Sequence, residues 1–161
     1  MNIQNYIKIS VITVEQSIGT FFLGKMTPND LYAIANKNLA RVKNLEEGIQ
    51  RELREAKLKE IRKYIGEKDA TFPNTIILAI QNNPVEEEPY YVIENNFLYI
   101  LRSDNVANVL DGQHRLFSFD KDRVDFELPV SIFLDMSLSE QAKIFATINS
   151  TQTKVDLSLV Y

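Results

Sequence analysis

The apolar residues of this chain come in short runs, and none approaches the ~18 to 20 residues that a membrane span needs. IKISVITVEQ, FFLGKM, TIILAI, YYVI, FLYIL and LPVSIFL are rich in β-branched and aromatic side chains and are separated by Gly, Pro, Asn or Asp. Such runs read as short strands. Helical segments fall between some of them, but strands and helices do not alternate regularly. That order favours an α+β fold, a mixed sheet with flanking helices, over a doubly wound sheet. At 161 residues the expectation is a single domain over 1–161. Disorder is excluded as the main state, because 45% hydrophobic residues are enough to offset chain entropy.

The local signals place the elements. Ile7 to Met26 reads as two strands split by Ser17 to Gly19. At TPND, Thr27 is an N-cap, Pro28 suits the first helical position and Asp30 stands where a capping-box acid would, opening a helix to about Leu39. Asn44 to Ile65 is the clearest helix, with Leu45, Ile49, Leu53, Ile61 and Ile65 as one apolar stripe and Gly66 at its end. Its other faces carry Arg51, Arg54, Lys57, Lys59, Arg62 and Lys63 among glutamates, either as a solvated surface or as a DNA-facing one. Phe72 to Ile80 reads as a buried strand, and Asn95-Asn96 as the turn of a hairpin. Asn108 to Leu110 is a further strand, and LPVSIFLDM another that ends at Asp135. Ser137 and Glu140 then cap a helix through about Asn149.

Composition removes several chemistries. The chain has no cysteine, which excludes disulfides, thiol catalysis and cysteine-ligated metals. It has one histidine, which excludes a two-histidine metal site within one chain. The net charge of -4 is not that of a uniformly basic nucleic-acid binder, so any DNA contact must use a local patch. The N-terminus MNIQNYIKIS lacks the basic start and apolar run of a secretory signal, so the expected location is cytoplasmic, with no membrane partner.

The single histidine sits in ANVLDGQHRLFSF, Ala107 to Phe119. Two structures fit this segment. Asp-Gly between apolar residues is a hairpin signal. It also suits a strand–turn–helix junction, where Gly112 turns without a Cβ clash and the amides of Gln113, His114 and Arg115 open a helix. A helix start attracts anions, phosphates above all. Arg115 would add bidentate charge there, and His114 a donor that titrates near neutral pH. Periodicity does not choose between the two.

LDGQHRLFSF, with IFATINSTQTKV at Ile144 to Val155, resembles the DGQHR-domain family. That family includes the DndB-type proteins associated with DNA phosphorothioation, and it is similar in fold to the ParB/sulfiredoxin superfamily. Asp111-Gly112-Gln113-His114-Arg115 matches the motif in full, and Phe145, Ile148, Asn149, Gln152 and Val155 follow at the family's distance. The resemblance implies a strand-to-helix turn at which Gly112, Gln113, His114 and Arg115 cradle a phosphate. Asp111 would cap that turn or face a metal or ribose, and Asn149 and Gln152 would touch the ligand's base or sugar. It implies a nucleoside triphosphate and Mg2+ as candidate cofactors and DNA as a partner. Ile148 stands where ParB relatives carry a metal-binding acid, which speaks against a metal at INSTQ. Gln113 takes the place of the sulfiredoxin cysteine, so sulfinic acid reduction is excluded. Family members usually continue with a helical region, so the chain reads as truncated at its C-terminal side.

Plainer roles stand beside these. Asp111 and Gly112 serve equally as a bare turn, His114 as a core histidine, and Arg115 as a structural arginine paired with Asp111, Asp120 or Asp122. Asn149, Thr151 and Gln152, placed after a helix end, would cap it. Asp111, Asp135 and Glu140 would need to gather to hold a divalent ion. Tyr90, Tyr91, Phe97 and Tyr99 in the hairpin suit sheet packing better than base stacking. Three functions follow. The first is a regulatory module of a DNA modification system, binding nucleotide or DNA phosphate at the motif. The second is a ParB-like triphosphatase or nuclease with Asp111 or His114 as catalytic base. The third is an interaction domain whose motif is architectural.

Overall fold

The structure, a computed structural model, describes residues 1–37 and 55–152. The chain is α+β, with two sheets among the described residues. Strands β1 (Tyr6–Ser10), β6 (Phe97–Leu101) and β5 (Tyr91–Glu94) form an antiparallel three-stranded sheet in the order β1-β6-β5. Strands β2 (Ile12–Gln16), β3 (Gly19–Met26), β8 (Leu128–Leu134), β4 (Ile76–Ile80) and β7 (Ala107–Asp111) form a mixed sheet in the order β2-β3-β8-β4-β7, in which β4 and β8 are parallel. The helices are α1 (Pro28–Ile34), α2 (Glu55–Ile65), α3 (Gln113–Ser118) and α4 (Leu138–Gln152).

The mixed sheet is covered on both faces. Ile76, Leu78 and Ile80 of β4 enter one apolar cluster with Val130 and Ile132 of β8, Leu31 and Ile34 of α1, Leu116 of α3 and the inward residues of β1 and β6. Ala79 and Ile77 enter the other, with Leu110, Phe21, Phe133 and Ile144 of α4. Because β4 is buried on both sides, its sequence is an unbroken apolar run rather than an alternating one.

The expected elements stand, with corrections at their ends. Ile7 to Met26 makes three strands rather than two. The extra break is at Val11, whose N–H still donates to Asn96 (2.9 Å) while the chain passes from one sheet to the other. Asn95 and Asn96 both take positive φ, 50° and 63°, as a tight hairpin turn requires. The helix opened by Thr27 ends at Ile34, not near Leu39. Ala35 leaves it to bridge Ala107 in parallel, and Asn36 N–H donates to the Ala107 carbonyl (2.7 Å). Thr27 Oγ1 accepts from Asp30 N–H (3.2 Å), but the Asp30 carboxylate pairs with Arg102 instead of closing a capping box. The strand predicted from Phe72 begins at Ile76. Of the long charged helix, Glu55–Ile65 is observed, and the part from Asn44 to Arg54 lies outside the described residues.

The helix predicted to end at Asn149 runs through Gln152. Ser and Thr side chains can compete with helical backbone bonding. Here their hydroxyls turn back onto the helix. Thr147 Oγ1 donates to the Lys143 carbonyl (2.8 Å) and Thr151 Oγ1 to that of Thr147 (3.0 Å).

A part-buried polar chain fixes the segment after α1, β7 and α4 to one another. Asn36 Nδ2 donates to Asn108 Oδ1 (3.0 Å), Asn108 Nδ2 to Gln141 Oε1 (2.9 Å), and Gln141 Nε2 to the Met136 carbonyl (2.9 Å). Gln141 is only 4% exposed, so truncating it leaves the part-buried Asn108 amide and Met136 carbonyl without their partner. Gln141→Ala is expected to cost about 1–3 kcal/mol in urea denaturation, the penalty for buried polar groups left without partners.

Candidate functional site

Of the two structures open to LDGQHR, the chain adopts the strand–turn–helix. Strand β7 ends at Asp111, Gly112 turns with φ 92° and ψ 14°, and α3 begins at Gln113. Glycine is required here twice over. The φ lies where L side chains are strained, and a Cβ would stand 2.9 Å from Ile76 Cγ1 and 3.1 Å from Arg115 Nη2. The first intrahelical donor is Leu116, whose N–H reaches the Gly112 carbonyl (2.9 Å). The amides of Gln113, His114 and Arg115 precede it and open the helix.

The motif's side chains divide by direction. Gln113 Nε2 donates back to the Val109 carbonyl of its own strand (2.7 Å). Arg115 donates through Nη1 to the Asn74 carbonyl and through Nη2 to the Thr75 carbonyl (3.0 Å), with Asp111 Oδ2 at 3.8 Å. Both carbonyls lie just before β4, so Arg115 ties the start of α3 to the entry of the central strand. Burial pulls the guanidinium below its usual value, and Asp111 opposes this. Asp120 and Asp122 are not its partners; the nearer carboxylate is Asp111, one helical turn away.

His114 is the motif side chain that meets another element from outside the sheet. Helix α2 packs on α3 and sets Lys57 close enough to act on the imidazole. Partial burial first, and Lys57 second, hold the His114 pKa below the usual histidine value, while Asp111 pushes it up. Lys57 was one basic residue among six in the sequence reading. Nothing local marked it, because its neighbour lies in a helix more than fifty residues on.

Helix α4 brings the INST segment to the same end of the sheet. Gln141 bonds Asn108 at the start of β7, and Ile148, two turns later, joins the cluster that holds Ile77, the β4 partner of Asp111. Asn149 is half-buried in the last turn of α4, next to Ile148. Gln152 closes that helix, and its side chain lies outside the described residues.

Asp135 and Glu140 do not join Asp111. Asp111 pairs with Ile77 at one end of β4, whereas the Asp135 N–H donates to Ile80 at the other (2.8 Å), about 10 Å of strand away. Asp135 is engaged there: it accepts from Asn82 N–H (3.1 Å) and from the Tyr91 hydroxyl. Burial and that bond push the Tyr91 phenol up to about 12. The Glu140 amide bonds Ser137 Oγ (3.2 Å), which is its capping position. Among the described residues no three Asp, Glu or His side chains are placed to hold one metal ion. The three acids thus do not form the shared ion site their sequence positions allowed, because β4 holds them apart.

Two outcomes test this geometry. Gly112→Ala is expected to destabilise the fold by about 1–3 kcal/mol in urea denaturation, the range for forcing a side chain into strained backbone. The single histidine permits a direct NMR titration. Its midpoint should lie below the usual ~6.5, rise in Lys57→Gln and fall in Asp111→Asn. The sign for stability follows. As pH falls through ~6.5 the unfolded chain takes up a proton that the folded chain still refuses, so stability drops from there down to the folded midpoint.

Among the described residues no helix is long and apolar enough to cross a membrane. No curated protein and no solved structure matches the chain. The model of the DndB family, described as DNA-sulfur modification-associated, matches residues 9–161, which includes the turn at Gly112, all of α3 and all of α4. The chain belongs to the DndB family of DNA-sulfur modification-associated proteins.

Proposed function

We propose that this domain is a DNA-associated regulatory module of a DNA sulfur modification system, and that it holds a phosphate at the Gly112 turn. The observation that carries the reading is the packing of α2 on α3, which sets the Lys57 charge to act on His114 beside the first amides of α3. Two nitrogen groups and a helix start are what a phosphate needs: donors, positive charge and a fixed frame. Membership of the family supports DNA as the source of that phosphate.

In this reading Gly112 shapes the turn, while Gln113, His114 and Arg115 contribute their amides. The Gln113 and Arg115 side chains, bonded to carbonyls, hold the frame rigid instead of reaching for the ligand. His114 and Lys57 supply the side-chain contacts, and Asn149 the neighbouring sugar or base. A nucleoside triphosphate with Mg2+ presents the same phosphate chemistry as DNA. Its magnesium would be met by the ligand's own phosphates and by Asp111 alone.

The test is fluorescence anisotropy with duplex DNA from upstream of the protein's own gene, beside calorimetric titration of ATP with and without magnesium. Lys57→Ala is expected to weaken DNA binding at every sequence tried and to lower the salt slope by about 1, the mark of one lost phosphate contact. Binding to neither probe, or binding that Lys57→Ala and His114→Ala leave intact, would sink the proposal.

One observation favours a second reading, an interaction domain whose motif is architectural: Arg115 is spent on the Asn74 and Thr75 carbonyls. Arg115→Lys separates the two, because lysine cannot bridge both carbonyls with a planar fork. A lower melting temperature together with a loss of ligand affinity beyond the unfolded fraction supports the phosphate site. A lower melting temperature with unchanged affinity supports architecture alone.

A further inference from the structure

The three-stranded sheet has an inner face in the core; on its other face Tyr6 is buried and Leu101 packs against the core, while the Phe97–Tyr99 stretch is, among the described residues, only half-buried. Leu98 and Ile100 of β6 and Ile7 and Ile9 of β1 point inward and are buried. Phe97 and Tyr99 alternate with them on the central strand and so point outward, and they belong to neither apolar cluster. Lys8 on β1 lies opposite Tyr99, with Nζ 4.2 Å from the Phe97 ring centre and 5.8 Å from that of Tyr99. Ser10 faces Phe97 from β1, and Val92 faces Tyr99 from β5.

We infer that this outer face is a stacking platform for single-stranded DNA, with one base each on Phe97 and Tyr99. Three features fit that occupant. The rings stand two residues apart on an extended strand, about 6.8 Å, so each can receive its own base. That is twice the ~3.4 Å rise per nucleotide of a duplex strand, so the bound segment must be unstacked and unpaired. Base stacking on aromatic rings is tolerant of sequence, and a cation beside the rings serves the backbone between two stacked bases. Lys8 is exposed, so no core contact holds it over the rings.

Charge sets the direction. Glu94 faces Phe97 across the hairpin, and Glu88 acts on the Tyr6 hydroxyl at the other end of the sheet. Both repel phosphates, Glu94 from the β5 edge and Glu88 from the Tyr6 end of β1, which leaves the stretch of β1 from Lys8 to Ser10 for the backbone. The platform is therefore short, about two nucleotides, and distinct from the Gly112 turn. It draws on the same family association with DNA but uses none of the same residues.

The test is anisotropy of a labelled 12-nucleotide oligo(dT) at low salt against the whole chain. Phe97→Leu and Tyr99→Leu keep apolar bulk on the sheet but remove the ring faces. Each is expected to weaken binding about tenfold, with circular dichroism and melting temperature unchanged, since one stacked base is worth roughly 1–3 kcal/mol. Lys8→Ala should weaken it too and flatten the salt dependence. A duplex of the same length should compete poorly. No binding of oligo(dT), full binding by the Phe97→Leu/Tyr99→Leu double variant, equal competition by duplex, or loss through Lys57→Ala alone would each overturn the platform. The last would place single strands at the Gly112 end instead.

Discussion

The two-sided burial of β4 is the constraint on which the rest of this structure depends. Ile76, Leu78 and Ile80 are fully buried on one face, and Ala79 is 2% exposed on the other. A strand in that position must have both backbone edges paired, and β8 and β7 pair them, one parallel and one antiparallel. Everything at the candidate site is referred to this strand. Ile77 sets the level of Asp111, Ile76 leaves no room for a Cβ at Gly112, and the two carbonyls before Ile76 receive Arg115. The turn is held from three directions by a strand that cannot move without opening both cores.

That dependence explains the division of labour within Asp111–Arg115. A motif of five polar and small residues suggests five contacts to a ligand. Two of its long side chains face inward, to Val109 and to the Asn74 and Thr75 carbonyls. What remains outward is backbone, His114, and the charge that Lys57 brings from α2. Binding that relies on fixed amides loses little entropy on association, because the groups are already ordered. Asn108, Gln141 and Asn36 act the same way from the far side, using part-buried hydrogen bonds to hold α4 in register with β7.

The two ends of the sheet carry different chemistry. At the Asp111 end the described side chains near α3 include Arg115, His114 and Lys57. At the Ile80 end Asp135 collects a tyrosine and an amide, beyond a loop that holds Glu86, Glu87 and Glu88. A net charge of -4 hides this segregation. Polyanions respond to the local field rather than to the total charge.

Much of the fold was legible because its signals are local. Short β-branched runs, the Thr27 and Ser137 caps and the Asn95-Asn96 turn each depend on neighbours within a few residues. The misjudged ends were those where a distant partner took over. Ala107 drew Ala35 out of α1, and the Thr147 and Thr151 hydroxyls found acceptors inside α4, which runs past Asn149 to Gln152. The candidate site followed the same rule. By itself the sequence determined that Gly112 must turn the chain and that the single histidine stands beside it, for these are properties of a pentapeptide. Whether the Asp-Gly pair made a hairpin or a helix start, where Arg115 spends its charge, which of six basic residues meets His114, and that Asp135 lies away from Asp111 were decided by tertiary structure. Each of those depends on β4 standing between elements far apart in the chain, and no local propensity encodes that pairing.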